Sequence, residues 1–185
     1  MKATSTPLAG LSVIEPRVFE DPRGFFLETF NAARYEALGI PAHFVQDNWS
    51  RSQRGTLRGL HFQHPRGQGK LVWVPRGAVW DVAVDVRQGS ATFGRWFGVE
   101  LSEVNKKQLW IPPGFAHGFC TLEPDTLFAY KVDSRHAPEA EAGLPWNDPA
   151  FAIPWPTPAP FTSARDESHA PFAHFKTPFV SGIAW

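Results

Sequence analysis

The 185-residue chain is 43% hydrophobic and 19% charged, enough apolar material to bury a core and too little charge for a disordered chain. Its 18 Lys and Arg balance its 18 Asp and Glu, which excludes a whole-molecule field drawing it onto nucleic acid or an anionic membrane; any anionic ligand must be held locally. The 12 arginines against 6 lysines favour the planar two-point grip that suits phosphate or carboxylate.

A single cysteine, Cys120, forms neither an internal disulfide nor a thiolate metal cage. Residues 1–16 hold no apolar stretch of signal-peptide length, and no segment approaches the ~20 apolar residues of a membrane span. The expectation is one soluble cytoplasmic domain over 1–185.

In chain order, short apolar runs between Gly and Pro residues predict strands at 11–14, 25–30, 44–49, 69–74, 78–86, 93–101, 107–111, 115–122 and 126–132, spaced as in a sandwich or barrel. The clearest is 78–86, where Trp80, Val82, Val84 and Val86 alternate with Asp81, Ala83 and Asp85. Only 31–39 reads as a helix, short and peripheral, with Asn31 as N-cap, Ala32, Ala33, Glu36, Ala37 and Leu38 as formers, and Gly39 as the stop. The stretch 138–160, dense in Pro, Trp and Asp, is expected to wrap the surface without regular structure.

Three segments concentrate polar groups inside apolar strands. In the first, Gln46-Asp47-Asn48 is followed by Arg58-Gly59-Leu60-His61-Phe62-Gln63 and by Lys70. Strand alternation places His61 and Gln63 on one face with Gly59, and Leu60 and Phe62 on the other. A lone inward His is more often a hydrogen-bonded core residue than a functional one. The crowd of Gln, Asn, Arg and Lys around this one favours a ligand, because buried polar groups are costly unless they bind each other or something else.

The second segment, Pro112-Pro113-Gly114-Phe115-Ala116-His117, is a Pro-x-Gly turn that places a His on the next strand, and it matches the second signature of the cupin barrels. Metal-binding cupins pair such a His with His-x-His and a Glu, a set suited to a divalent ion. Here the first signature is His61-Phe62-Gln63, and Lys70 stands near the place of the Glu, so no resident metal is expected. The third segment joins Tyr130, on a predicted strand, to Asp166 in Ser163-Ala164-Arg165-Asp166; alone, the first reads as packing and the second as a turn residue.

Together these segments resemble the dTDP-4-dehydrorhamnose 3,5-epimerases, metal-free cupins of nucleotide-sugar biosynthesis. The likeness runs through Asp21-Pro22-Arg23-Gly24-Phe25-Phe26, Gln46-Asp47-Asn48-Trp49-Ser50, residues 57–63, 68–72, 81–87 and 112–119, Tyr130-Lys131 and Trp146-Asn147-Asp148-Pro149. It implies a mainly β, double-stranded β-helix (jelly-roll) domain: N-terminal strands and the 31–39 helix, a barrel over about 43–133 and a C-terminal wrap over 134–185. It also implies a cofactor-independent homodimeric isomerase acting on a dTDP-4-keto-6-deoxy sugar for dTDP-L-rhamnose and cell-surface polysaccharide.

By the same resemblance His61 is the general base, Asp166 its orienting carboxylate, Lys70 the cation beside the sugar O4 and Tyr130 the acid on the opposite face. Arg23, Phe25, Glu28, Gln46, Asp47, Asn48, Arg58, His117 and Glu141 are similar to the residues that hold the sugar and diphosphate, with Arg23 and Glu28 coming from the partner subunit. One position departs: where many members carry an aromatic ring that stacks on thymine, this chain has His136. The alternatives are an epimerase of C3 or C5 alone, a metal-dependent cupin oxygenase and a non-catalytic nucleotide-sugar-binding module.

Overall fold

The computed structural model describes residues 1–182. An N-terminal pair, β1 (Lys2–Ser5) and β2 (Ser12–Glu15), precedes a projecting hairpin of β3 (Val18–Asp21) and β4 (Gly24–Leu27), then helix α1 (Ala32–Glu36). The body follows as β5 (Gln46–Ser52), β6 (Leu57–Gln63), β7 (Lys70–Arg76), β8 (Ala78–Asp85), β9 (Arg87–Gln88), β10 (Trp96–Ser102), β11 (Gln108–Ile111), β12 (Phe115–Thr121) and β13 (Thr126–Val132). The C-terminal wrap adds β14 (Glu141–Gly143) and β15 (Phe179–Val180).

Two antiparallel sheets carry the site, one of order β1-β2-β11-β7-β13-β5 and the other of order β10-β8-β12-β6-β14. Their facing sides bury one core, to which Val72, Val74, Leu109 and Phe128 come from the first sheet and Val79, Ala83, Leu101 and Phe119 from the second. The aspartate-bearing face of β8 is the one turned inward, with Asp81 and Asp85 both fully buried. Its valine face, Val82, Val84 and Val86, lies on the outside of the second sheet and is buried under Phe151 and Phe179 of the C-terminal wrap. A sheet buried on both sides explains why neither face of this strand is polar in the ordinary sense. Each such valine contributes about 1.5–3 kcal/mol by leaving water.

The expected helix is present but shorter, and it is capped by Asn31, whose side chain accepts from the Arg34 amide. Its anchor is Tyr35, which the helix-former count ignores: fully buried beside Ile14, Leu71 and Trp110, it donates from its hydroxyl to Gln108 Oε1 at 2.5 Å.

Two expectations need correction. The 138–160 stretch does contain regular structure, because β14 pairs with β6 and places Glu141 opposite Gln63 and Gly143 opposite His61. Without it the outer edge of β6 would expose unpaired amides and carbonyls, a need that an Glu-Ala-Gly triplet does not advertise in side-chain pattern. Strict alternation also fails in β6, whose register against β12 shifts between His117 and Phe119. Gly59 (φ +133°) and Gly118 make that shift possible, since a Cβ on Gly59 would lie 2.4 Å from Gly118 Cα. Arg58 and His61, three residues apart, therefore line the same cavity.

Candidate active site

A cavity of about 230 Å³ opens between the sheets, lined by Arg58, His61, Lys70, His117, Tyr130 and Asp166, with Ser50, Ser163, Phe119 and Phe128 completing the wall. The second sheet supplies His61 and His117, which face each other as direct cross-strand partners. The first sheet supplies Lys70 at the start of β7 and Tyr130 on β13. Asp166 arrives from the C-terminal wrap.

His61 Nε2 lies 2.6 Å from Asp166 Oδ1. The other oxygen, Oδ2, accepts from the Ser163 amide at 3.1 Å and from Ser163 Oγ at 2.7 Å. Burial works against ionisation of Asp166, yet the hydrogen bonds from His61 and Ser163 outweigh it and hold the carboxyl well below the usual carboxylate range. An ionised carboxylate only accepts, so Nε2 carries the proton and the lone pair of neutral His61 is on Nδ1.

Burial pushes the Lys70 ammonium down to about 8, against the pull of the Glu141 and Asp81 carboxylates. Burial, reinforced by the Glu141 charge and opposed by Arg58, raises the Tyr130 hydroxyl, which therefore stays protonated at neutral pH. Among the described residues neither the Lys70 ammonium nor the Tyr130 hydroxyl has a hydrogen-bond partner, so both are free to meet a ligand. His117 Nε2 stands 3.0 Å from both oxygens of Asp81, and burial lowers its basicity more than that carboxylate restores it.

Around this centre, β5 turns Gln46 and Asn48 to the side of Tyr130, with Asn48 as its cross-strand partner and Gln46 donating to Asn48 Oδ1 at 2.7 Å. Gln46 Oε1 accepts from the backbone amide of His136, whose ring is half-exposed 3.8 Å from Glu141. Glu141 Oε1 lies 4.0 Å from His61 Nδ1, while Oε2 accepts from Arg165 at 2.7 Å. Arg58 donates twice to Ser52 Oγ at 3.2 Å. Gln63, at the second position of the metal-cupin signature, is used elsewhere: its amide holds the backbone of Arg135 and Ala137.

Four predicted site residues are not brought to this cavity. Asp47 points to the other side of β5 and pairs with Lys131 at 2.8 Å. Arg23 is at the tip of the β3–β4 hairpin, its side chain 90% exposed and, among the described residues, paired only with Asp21. Phe25, 60% exposed, lies under the Lys106 ammonium, and Glu28 binds Arg34.

Sequence reasoning passed over Asp81, Ser163, Ser50 and Arg165. Asp81 shares the Ala83/Asp85 face of a strand whose other face is wholly apolar, and Ser50 shares the Gln46/Asn48 face of β5; Ser163 and Arg165 lie in a segment without periodicity.

The dTDP-4-dehydrorhamnose 3,5-epimerase family model matches residues 5–174. The chain belongs to that family. It is 52% identical over 175 residues to the dTDP-4-dehydrorhamnose 3,5-epimerase of Pseudomonas aeruginosa, an alignment covering 94% of this chain and 97% of that one. A crystal structure of dTDP-6-deoxy-D-glucose-3,5-epimerase from Legionella pneumophila, in complex with dTDP-4-keto-L-rhamnose, superposes with a TM-score of 0.91 at 49% identity over 95% of this chain and 94% of its own. The dTDP-4-dehydrorhamnose 3-epimerase of Streptomyces niveus is more distant, 40% identical over 90% of this chain and 82% of its own. The fold is accordingly the cupin-like one of these epimerases.

Proposed function

We propose that this epimerase inverts C3 and C5 of dTDP-4-keto-6-deoxyglucose to give dTDP-4-keto-L-rhamnose, as a cytoplasmic homodimer on the route to dTDP-L-rhamnose and cell-surface polysaccharide. The observation that carries the reading is the placement of a carboxylate-held imidazole and an unpartnered phenol on opposite walls of one cavity, with an ammonium lining it beside them.

Both stereocentres flank the C4 ketone, so removal of either proton moves charge onto O4. In the D-gluco chair the C3 and C5 hydrogens are axial on one face, so a single base reaches both. His61 takes the proton on Nδ1, Asp166 holds its tautomer, and the imidazolium that forms sits beside the Asp166 and Glu141 carboxylates. Such a base is worth roughly 10²–10⁴-fold in rate. Lys70 meets the enolate oxygen, and a preorganised donor of that kind is worth about 2.7–4 kcal/mol of barrier. Tyr130 returns a proton from the opposite face and completes inversion. The carbons keep their oxidation state, so no redox cofactor is called for.

Arg58, Gln46, Asn48, His117 and Glu141 hold the sugar and diphosphate in this reading, and Arg23, Phe25 and Glu28 serve the partner's cavity. The exposed aromatic side chains Phe19, Phe25 and Phe26 on the hairpin support that exchange, since apolar groups concentrated on one projecting arm mark an association surface. No helix among the described residues is long and apolar enough to cross a membrane.

The test is NMR of the product formed from dTDP-4-keto-6-deoxyglucose in deuterated water. Label and inversion at both C3 and C5 are expected. Label confined to one carbon would reassign the enzyme to single-position epimerisation, and no label at either would refute the chemistry.

A further inference from the structure

A second cleft, of about 640 Å³, shares Asp166 with the cavity and is lined also by Glu167, His169, Asn147, Asp148 and Pro145. Asp166 thus borders both spaces. Into the space beside it comes His169, whose ring packs edge-on to His61 with centroids 6.0 Å apart. Among the described residues His169 Nε2 is buried without a hydrogen-bond partner, and it lies so close to Gly143 that a Cβ there would be 2.4 Å away. A buried, unpartnered ring nitrogen is costly and calls for an explanation. One potential ligand atom from each of His61, Asp166 and His169 lies within 4.8 Å of the other two.

We propose that His61, Asp166 and His169 form an inhibitory binding site for a zinc-class transition-metal ion, reached from the second cleft. Two imidazoles and a carboxylate suit zinc far better than Mg²⁺ or Ca²⁺, which prefer oxygen ligands. Zinc bonds of about 2.0–2.2 Å place ligands roughly 3.3 Å apart. The 2.6 Å His61–Asp166 contact therefore opens slightly, and His169 moves inward to close the set. The site is distinct from the front-side set of metal-binding cupins, whose second His is replaced here by Gln63.

Inhibition follows from the tautomer. A neutral imidazole has one proton, and the one on His61 Nε2 now bonds Asp166. When the metal takes the Nε2 lone pair, that proton is relocated through solvent to Nδ1, as on metal-bound histidines generally. Nδ1 then has no lone pair to receive a proton from carbon. The inhibition rests on His61 being the base; the binding does not.

The experiment is calorimetric titration of metal-stripped enzyme with Zn²⁺, with Mg²⁺ as control, beside epimerisation assays of wild type, His169→Ala and His169→Gln. The expectation is one Zn²⁺ per chain and inhibition reversed by chelator, with Mg²⁺ inert. Either variant should weaken both binding and inhibition roughly tenfold or more, while metal-free turnover stays within about twofold. Should His169→Ala fail to fold, His169→Gln decides. No binding to wild type, or equal binding by a folded variant, would overturn the site; tight binding without inhibition would leave the site standing and overturn the role of His61.

Discussion

His61 and Tyr130 reach one cavity from opposite sheets, His61 from β6 of the five-stranded sheet and Tyr130 from β13 of the six-stranded one. A planar enolate held between those sheets presents one face to each. Inversion requires that arrangement, because a proton returned by the group that removed it restores the starting configuration.

The Asp166 contact should be worth more to turnover than to binding. Asp166→Asn puts an amide where Nε2–H needs an acceptor and destabilises the imidazolium, so kcat is expected to fall by about 10²–10⁴ with KM changed little. Steady-state kinetics on a variant with an unaltered circular dichroism spectrum checks this; wild-type kcat would make Asp166 a packing residue.

Lys70 should set the alkaline limb. Its folded-state value is lowered to about 8 by burial, so the ammonium is present below that pH and is lost as pH rises through it. The ratio kcat/KM, which reports the free enzyme, should therefore decline with a midpoint near pH 8. Lys70→Met should remove that limb and lower kcat by roughly 10²–10³, the cost of one oxyanion donor. A midpoint unchanged in the variant would assign the limb to another group.

Most strands of the two main sheets were legible in the sequence because they obey a period of two or follow a fixed turn, whereas Tyr130 and Asp166 stood out only through the family resemblance. Asn31 caps its helix and Pro112-Pro113-Gly114 delivers His117 as read; Gly114 has φ +89° and its absent Cβ leaves room for Arg87. Three features were not legible. The β6 bulge depends on two glycines 59 residues apart in sequence, Gly59 and Gly118, meeting across strands. Strand β14 forms because β6 needs a partner, not because its own residues demand it. The inward turn of Asp81 and Asp85 could not be told from the outward one until the wrap was seen to cover the valines. Within one chain Arg23, Phe25 and Glu28 lie away from the cavity, and Asp47 faces the side of β5 opposite Gln46 and Asn48.

The hairpin should be the dimer's arm. Replacing Phe25 and Phe26 with Asp is expected to shift the protein to monomer in light scattering at micromolar concentration and to lower kcat/KM by an order of magnitude or more, since Arg23 and Glu28 would no longer reach a partner's cavity. A dimer retaining full activity would refute the exchange.

His136 should weaken grip on the nucleobase. Base–aromatic stacking is worth roughly 1–3 kcal/mol in single-stranded nucleic-acid complexes, and a half-exposed imidazole beside Glu141 captures less of it than a larger ring. His136→Tyr should lower KM several-fold with kcat unchanged, the pattern of uniform binding. An unmoved or raised KM would show that residue 136 does not stack.

The division of labour between His61 and Tyr130 is tested most directly by deuterium wash-in followed together with stereochemistry. With His61→Asn no enolate forms, and both exchange and epimerisation should vanish. With Tyr130→Phe, His61 still removes the proton and, after exchange with solvent, returns a deuteron to the same face. Label should then enter C3 or C5 with retained configuration while net inversion drops by roughly an order of magnitude or more. Normal inversion by Tyr130→Phe would contradict the two-walled account, as would loss of exchange and inversion together, which would mean that Tyr130 is needed to form the enolate.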